Sequence, residues 1–189
     1  MKRLFKLFDN SKANKTPDSE STEQTNQDNP MDSNVVIRVL EYNDKKYDIS
    51  TVDEELEEYR TNFNQSNGIF ECLITENKNK NILSVYFYFP GKIPENKINE
   101  IAVFSSLVNC SLYLGGFELH IPENSLRLRN SFYYDKTSYF SDNVLASSIN
   151  MLSDIINGCF PSIMSIIYAD ANPTDVYNQF LNRVDVNLN

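Results

Sequence analysis

Two runs in the middle of the chain, IFECLITE (69–76) and NILSVYFYF (81–89), are separated only by the polar NKNK, and they constrain the fold most. Strand-forming residues on both sides of a short polar turn predict a β-hairpin. In the second run Leu83, Val85, Phe87 and Phe89 fall on one face, while Ile82, Tyr86 and Tyr88 fall on the other. Both faces are apolar enough for a strand inside a sheet, with neighbours on each side. Pro90 and Gly91 end the run. Pro94 then suits the first residue of a helix, where a missing N–H is no loss. PENKINEIAVFSSLVNC (94–110) repeats Ile98, Ile101, Ala102, Ser105 and Val108 at helical spacing, with Phe104 and Leu107 widening the stripe. This helix is expected to cover the sheet.

LYLGGFELHIPENSLRLRN (112–130) predicts a second hairpin. With PENS as a four-residue turn, Ile121 lies opposite Leu126, His120 opposite Arg127, Leu119 opposite Leu128 and Glu118 opposite Arg129. The charged residues then share one wet face. Phe117, Leu119, Ile121, Leu126, Leu128 and Phe132 share the other, which faces the core. Glu118 and Arg129 form an exposed cross-strand pair worth at most about 1 kcal/mol. Gly115 and Gly116 lack the third glycine of a dinucleotide fingerprint and mark a bulge entering the strand.

The flanking sequence completes an α+β pattern. VVIRVLEYNDKKYDIS (35–50) reads as a hairpin with Val35, Ile37 and Val39 on one face and a turn at Asn43 and Asp44. Thr51 with Glu54 has capping-box spacing, so a helix is expected from about Val52 to Phe63. Its acidic residues, Asp53, Glu54, Glu55, Glu57 and Glu58, read as a solvated helix face, since a cation site needs carboxylates converging from several segments. SDNVLASSINMLSDIINGCF predicts a helix capped by Ser141, Pro161 begins a second helix, and NPTDVYNQFLNRV a third with Val176, Phe180 and Leu181 inward. At the other end, residues 1–33 form a tail. Its start, MKRLFKLF, sets Leu4, Phe5, Leu7 and Phe8 against Lys2, Arg3 and Lys6, the pattern of a membrane-surface segment. Two turns of isolated helix are marginal in water, so a leader with a few adhesive residues is preferred. Residues 10–33 hold almost nothing to bury and read as a disordered linker. Residues 34–185 are expected to form one domain.

Composition narrows the function classes. A net charge of −9 and a pI near 4.6 oppose binding to a phosphate backbone. No uninterrupted apolar run reaches the roughly 18 residues that cross a bilayer, so integral membrane association is not expected. Cys72, Cys110 and Cys159 are odd in number, far apart and flanked by apolar residues, as buried free thiols in a reducing cytoplasm would be. His120 is the only histidine, which removes His-pair metal motifs and two-histidine mechanisms. No Cys-x-x-Cys, P-loop or nucleophile elbow is present, and no cofactor is expected. A dyad of His120 with one of the cysteines needs an accessible thiolate that buried cysteines would not provide. The chain is expected not to be an enzyme.

Two stretches carry a family likeness. LSVYFYFPGKIPENKINEIAVFSSLVNCSLYLGGFELHIPENSLRLRNSFYYD and CFPSIMSIIYADANPTDVYNQF together resemble the YbjN family of bacterial sensory transduction regulators. The likeness rests on an aromatic strand, IPENK opening a helix, Asn109 near its end, a Gly116-to-Leu119 strand start, an Arg-bearing return strand and a proline-led helix. It spans about residues 60 to 183. The resemblance implies an antiparallel sheet flanked by helices, similar to type III secretion chaperones. It also implies a non-enzymatic role tied to regulation and stress responses. The segment before residue 50 lies outside it, and PENSL lacks the Asp-Gly common at that turn.

Two functions follow as expectations. The first is a regulatory or adaptor module that binds a polypeptide partner by a sheet face or edge, with the homodimer that the secretion-chaperone resemblance implies, and with Tyr86, Tyr88, Glu118, His120, Arg127, Arg129 and Tyr133 as the candidate face. The alternative is a small-molecule-responsive regulator with a pocket between sheet and helices. Helices of the same chain covering those tyrosines would be the structural account of them.

Overall fold

The computed structural model describes residues 34–135 and 140–186. The readings of residues 1–33 as tail and linker lie outside the described residues. A helix, α1 (Val35–Tyr42), precedes four consecutive strands, β1 (Tyr47–Asp53), β2 (Leu56–Gln65), β3 (Gly68–Asn77) and β4 (Ile82–Tyr88). Helix α2 (Ile98–Asn109), strands β5 (Gly116–His120) and β6 (Ser125–Tyr133), and helices α3 (Asp142–Ala169) and α4 (Pro173–Val186) follow. The six strands form one antiparallel sheet in the order β1-β2-β3-β4-β6-β5. The α+β class with an antiparallel sheet and flanking helices is therefore as expected, and β4 lies inside the sheet.

One face of this sheet meets the helices. Phe63, Phe70, Cys72, Ile74, Leu83, Val85, Phe87 and Leu128 are buried there with Leu145, Leu152, Ile156 and Ile163 of α3. Asn130 on β6 donates to Ser148 Oγ of α3 at 3.0 Å, which fixes the side of the sheet on which α3 lies. Rings interlock across this layer, Phe63 with Phe87 at 5.1 Å and Phe70 with Phe160 at 5.6 Å between centroids. By length and composition α3 satisfies the requirement for a bilayer span, but half of its most apolar stretch is buried within this fold.

Several expectations are corrected. Residues 35–42 are a helix and not the first strand of a hairpin. The apolar run fits both periods, and Asn34 decides it by accepting from Val36 N at 2.8 Å as the N-cap, so that Val36, Val39 and Leu40 face inward at helical spacing. The region 52–63 is mostly strand and not helix. Tyr59, Thr61 and Phe63 are buried at alternate positions, and the acidic run instead forms the β1–β2 turn and the start of β2. Burial of that alternating set outweighs the capping-box spacing.

Pro161 lies inside α3 and begins no new helix. Proline deprives the carbonyl four residues back of its partner. That carbonyl belongs to Asn157, and Asn67 Nδ2 donates to it at 2.9 Å from the β2–β3 turn. Pro94 precedes a short 3-10 turn at Glu95–Lys97 before α2 begins. Ser141 occupies the N-cap position of α3 but makes no capping side-chain bond; Asp142 in the first turn instead pairs with Arg38 of α1.

The second hairpin has the expected faces but a register two residues away. Leu119 lies opposite Leu126, Glu118 opposite Arg127 and His120 opposite Ser125. Ile121 leaves the strand for a 3-10 turn closed by Asn124 in the left-handed region, and Ile121 is exposed and not core. A shift of two preserves the side-chain parity, which is why the charged face survived the error. Cys110 is exposed, contrary to expectation, because it follows the last turn of α2; Cys72 and Cys159 are buried.

Candidate functional site

The other sheet face is built from the alternate residues of the same strands. Leu73 of β3 lies opposite Tyr86 of β4 and Arg60 of β2, and Tyr86 lies opposite Arg129 of β6. Tyr88 lies opposite Arg127, and Ile82 opposite Tyr133. Strand residues and Lys80 alone line a shallow concavity of ≈ 640 Å³ here. No described helix residue lines it. Helices of the chain thus leave Tyr86 and Tyr88 uncovered among the described residues, and both are half-buried by their neighbours in the sheet.

Two arginine–carboxylate groups flank the apolar floor. Arg60 is held between Glu58 at 2.9 Å and Glu71 at 2.8 Å. On the opposite flank Glu118 takes Arg127 Nε on one oxygen and an Arg129 guanidinium nitrogen on the other, each at 2.9 Å. The expected Glu118–Arg129 pair therefore exists, but along a diagonal, with Arg127 in the directly opposed place. The Arg127 guanidinium also lies 4.7 Å from the Tyr86 ring centre, in cation–π range. Desolvation opposes charge on Arg127, yet bonds to Tyr88 and Glu118 outweigh it and hold its pKa above the ordinary arginine value. These pairs are partly exposed, so each is worth little in stability. Their geometric effect is to hold two guanidiniums upright beside an aromatic floor.

Of the seven candidate residues, Tyr86, Tyr88, Arg127 and Arg129 line the concavity, and Glu118 braces the arginines beneath. His120 and Tyr133 share the face but lie outside it. His120 is exposed with Nδ1 3.5 Å from Glu123 at the hairpin turn, and Tyr133 is 76% exposed. Sequence reasoning missed Leu56, Glu58 and Arg60 because β2 was read as a helix; Leu73 lies on β3, which was expected as a strand, but its face was not assigned. The signal for the β2 residues is the two-residue alternation from Leu56 to Asn64.

Two other places gather polar groups. At one end of the helix-covered face, Asn34 donates to Tyr59 Oη at 2.6 Å and to Glu76 at 3.0 Å, Tyr59 donates to Glu57 at 2.6 Å, and Tyr134 donates to Glu76 at 2.9 Å. Lys78 closes the cluster on Glu57. Bonds from Lys78 and Tyr59 hold the Glu57 carboxyl below its ordinary range, and desolvation first, then Glu57, pushes the Tyr59 phenol up. Between α2 and β5 lies an open groove of ≈ 420 Å³ lined by Ser105, Ser106, Asn109, Cys110, Phe117 and Leu119, with Ala102. Asn109 clamps the strand there, accepting from Phe117 N at 2.7 Å and donating to Phe117 O at 3.0 Å. Ser105 Oγ is buried without a hydrogen-bond partner.

Among the described residues no three His, Cys, Asp or Glu side chains group as metal ligands would. Burial pushes the Cys72 thiol well up, away from the thiolate form that a nucleophile uses. The geometry on the open face supports contact and charge recognition. No protein-family model matches the chain, and neither does any curated protein or solved structure, so its function is argued from its own geometry.

Proposed function

We propose that this protein is a non-enzymatic adaptor that binds a polypeptide across the open face of its sheet. The observation that carries the reading is the concavity of ≈ 640 Å³ between the Arg60 and the Arg127–Arg129 groups, floored by Leu73, Ile82 and Tyr86. Tyrosine and arginine are enriched in the buried centres of interfaces and are also tolerated in water. The arginines suit a partner segment that offers carboxylates beside an apolar or aromatic residue. The resemblance to the YbjN family and to type III secretion chaperones agrees with a regulatory, cytoplasmic role, and a homodimer is the arrangement it favours.

The test compares material retained by the wild-type protein from its native host with that retained by a Tyr86→Ser/Tyr88→Ser double variant of equal melting temperature. A polypeptide kept by the first and lost by the second supports the reading, since truncating hot-spot aromatics costs about 2 kcal/mol or more of binding. Equal retention places the binding surface elsewhere. The α2–β5 groove, with its orphaned Ser105 hydroxyl, favours a second reading in which a small neutral ligand is bound. Stabilisation by a metabolite that Ser105→Ala abolishes would favour that one.

A further inference from the structure

The two edges of the sheet are finished differently. Edge strand β5 is five residues long, and the Asn109 side chain takes up its outward Phe117 N–H and C=O as a neighbouring strand would. Edge strand β1 is seven residues long and, among the described residues, has β2 as its only strand partner. It also exposes apolar side chains, Ile49 at 50% and Val52 at 57%. A long unpaired edge with apolar residues is a site where another segment adds.

Charge says which segment fits. Residues 41–58 carry eight Asp and Glu against two Lys, a net −6 of the chain's −9. Lys78 answers Glu57 and Arg60 answers Glu58, which leaves the excess around Asp44, Asp48 and Glu54 beside β1. A second copy of the same edge would meet like charge. Residues 1–8 are the complement: Lys2, Arg3 and Lys6 with Leu4, Phe5, Leu7 and Phe8, and no acidic residue. The described fold also begins close to β1. Asn34 is bonded to Tyr59, and Tyr59 lies opposite Ile49 of β1. Residues 9–33 are 25 residues, whose greatest possible reach of roughly 80 to 90 Å exceeds the length of β1, about 23 Å. Tethering at that length gives an effective concentration on the order of millimolar, so a weak contact suffices.

We propose that residues 2–8 of the same chain dock on the β1 edge, their apolar side chains over Ile49 and Val52 and their cations among Asp48, Glu54 and neighbouring carboxylates. The tail thereby occupies the open edge reversibly, and a partner that competes for it would release a cationic, apolar segment.

The test is amide hydrogen exchange along β1 in the full-length protein. Outward-facing amides between Asp48 and Val52 should exchange roughly fivefold more slowly in the wild type than in a Lys2→Glu/Arg3→Glu/Lys6→Glu variant, as an edge covered about four-fifths of the time requires. One molar salt should remove the difference by screening. Adding Asp48→Lys and Glu54→Lys to the reversed tail should restore slow exchange, relative to the same strand changes with the natural tail. Equal β1 exchange in the wild type and the reversed-tail variant overturns the proposal. So does a tail that binds anionic vesicles while leaving β1 exchange unchanged.

Discussion

The two faces of this sheet come from the same strands, often from adjacent residues, and they are chemically unlike. On β4 the helix-covered side presents Leu83, Val85 and Phe87, all fully buried, while the open side presents Ile82, Ser84, Tyr86 and Tyr88. On β6, Leu126 and Leu128 point to the helices, and Arg127 and Arg129 point away. A covered face needs apolar shapes that fill space at crystal-like density. An open face needs side chains that remain soluble alone yet give large contact area when covered, which tyrosine and arginine do. The difference shows that alternation alone separates core from surface here, whereas tyrosines and carboxylate-braced arginines at the centre distinguish this surface from an ordinary wet one.

The largest effect should come from breaking that contrast on one strand. Phe87→Ala removes a fully buried ring packed on Phe63 and should lower the unfolding free energy by about 3 to 5 kcal/mol. Tyr86→Ser, one residue away, should cost about 1 kcal/mol, chiefly the lost contact with Arg127. Denaturant titration of both variants measures the gap. Similar losses for the two would mean that Tyr86 is core and that the open face has another cover.

How much of this was legible beforehand depends on which physical signal dominated locally. The β3–β4 hairpin and its two-sided apolar pattern were readable because residues 69–89 agree at every level: alternation, strand propensity and a polar turn. β2 was not readable as a strand because Thr51 and Glu54 mimic a capping box and the acidic run mimics a solvated helix, although its partner β3 follows at once after the two-residue turn Ser66–Asn67. α1 was misread because VVIRVL satisfies both periods and only the Asn34 cap resolves it. In the site, the β4 and β6 residues were found from parity. The β2 contribution, Arg60 with Glu58, was lost with its strand. Continuity of α3 through Pro161 depends on Asn67, some ninety residues earlier, and no local pattern announces it.

A middle-sized effect should appear with pH, at the seam where the helix-covered face ends in Asn34, Glu57, Tyr59, Glu76 and Tyr134. The Glu57 carboxyl titrates lower folded than unfolded, so its contribution is complete above the ordinary carboxylate range near pH 4.3 and is lost as pH falls below it. The phenols of Tyr59 and Tyr134 titrate higher when folded, raised first by desolvation and then by their carboxylate partners. Their contribution is complete below about pH 10 and is lost as pH rises beyond it. Melting temperature should therefore hold a plateau between about pH 5 and 9 and fall on both sides. Tyr59→Phe should lower the plateau and flatten the alkaline fall. An alkaline limb as steep as in the wild type would show that the phenol is not shielded in this seam.

The smallest effect is expected where the sequence most invites a larger one, at the sole histidine. His120 ends β5 on the open face, opposite Ser125, with half of its side chain in water and Glu123 at 3.5 Å as its ionic neighbour. It lies outside the concavity that Tyr86, Arg127 and Arg129 line. An ion pair this exposed is worth less than about 1 kcal/mol even with the imidazole charged. His120→Ala should accordingly change stability by no more than about 0.5 kcal/mol and leave partner retention as it was. The same substitution sharpens the contrast within the open face, because Arg127→Ala, seven residues away, removes both the Glu118 bond and the cation above Tyr86 and should weaken retention with little change in melting. If His120→Ala weakened partner retention as much as Arg127→Ala, the binding surface would have to extend past the concavity to the β5–β6 turn, and the floor of Leu73, Ile82 and Tyr86 would no longer mark its centre.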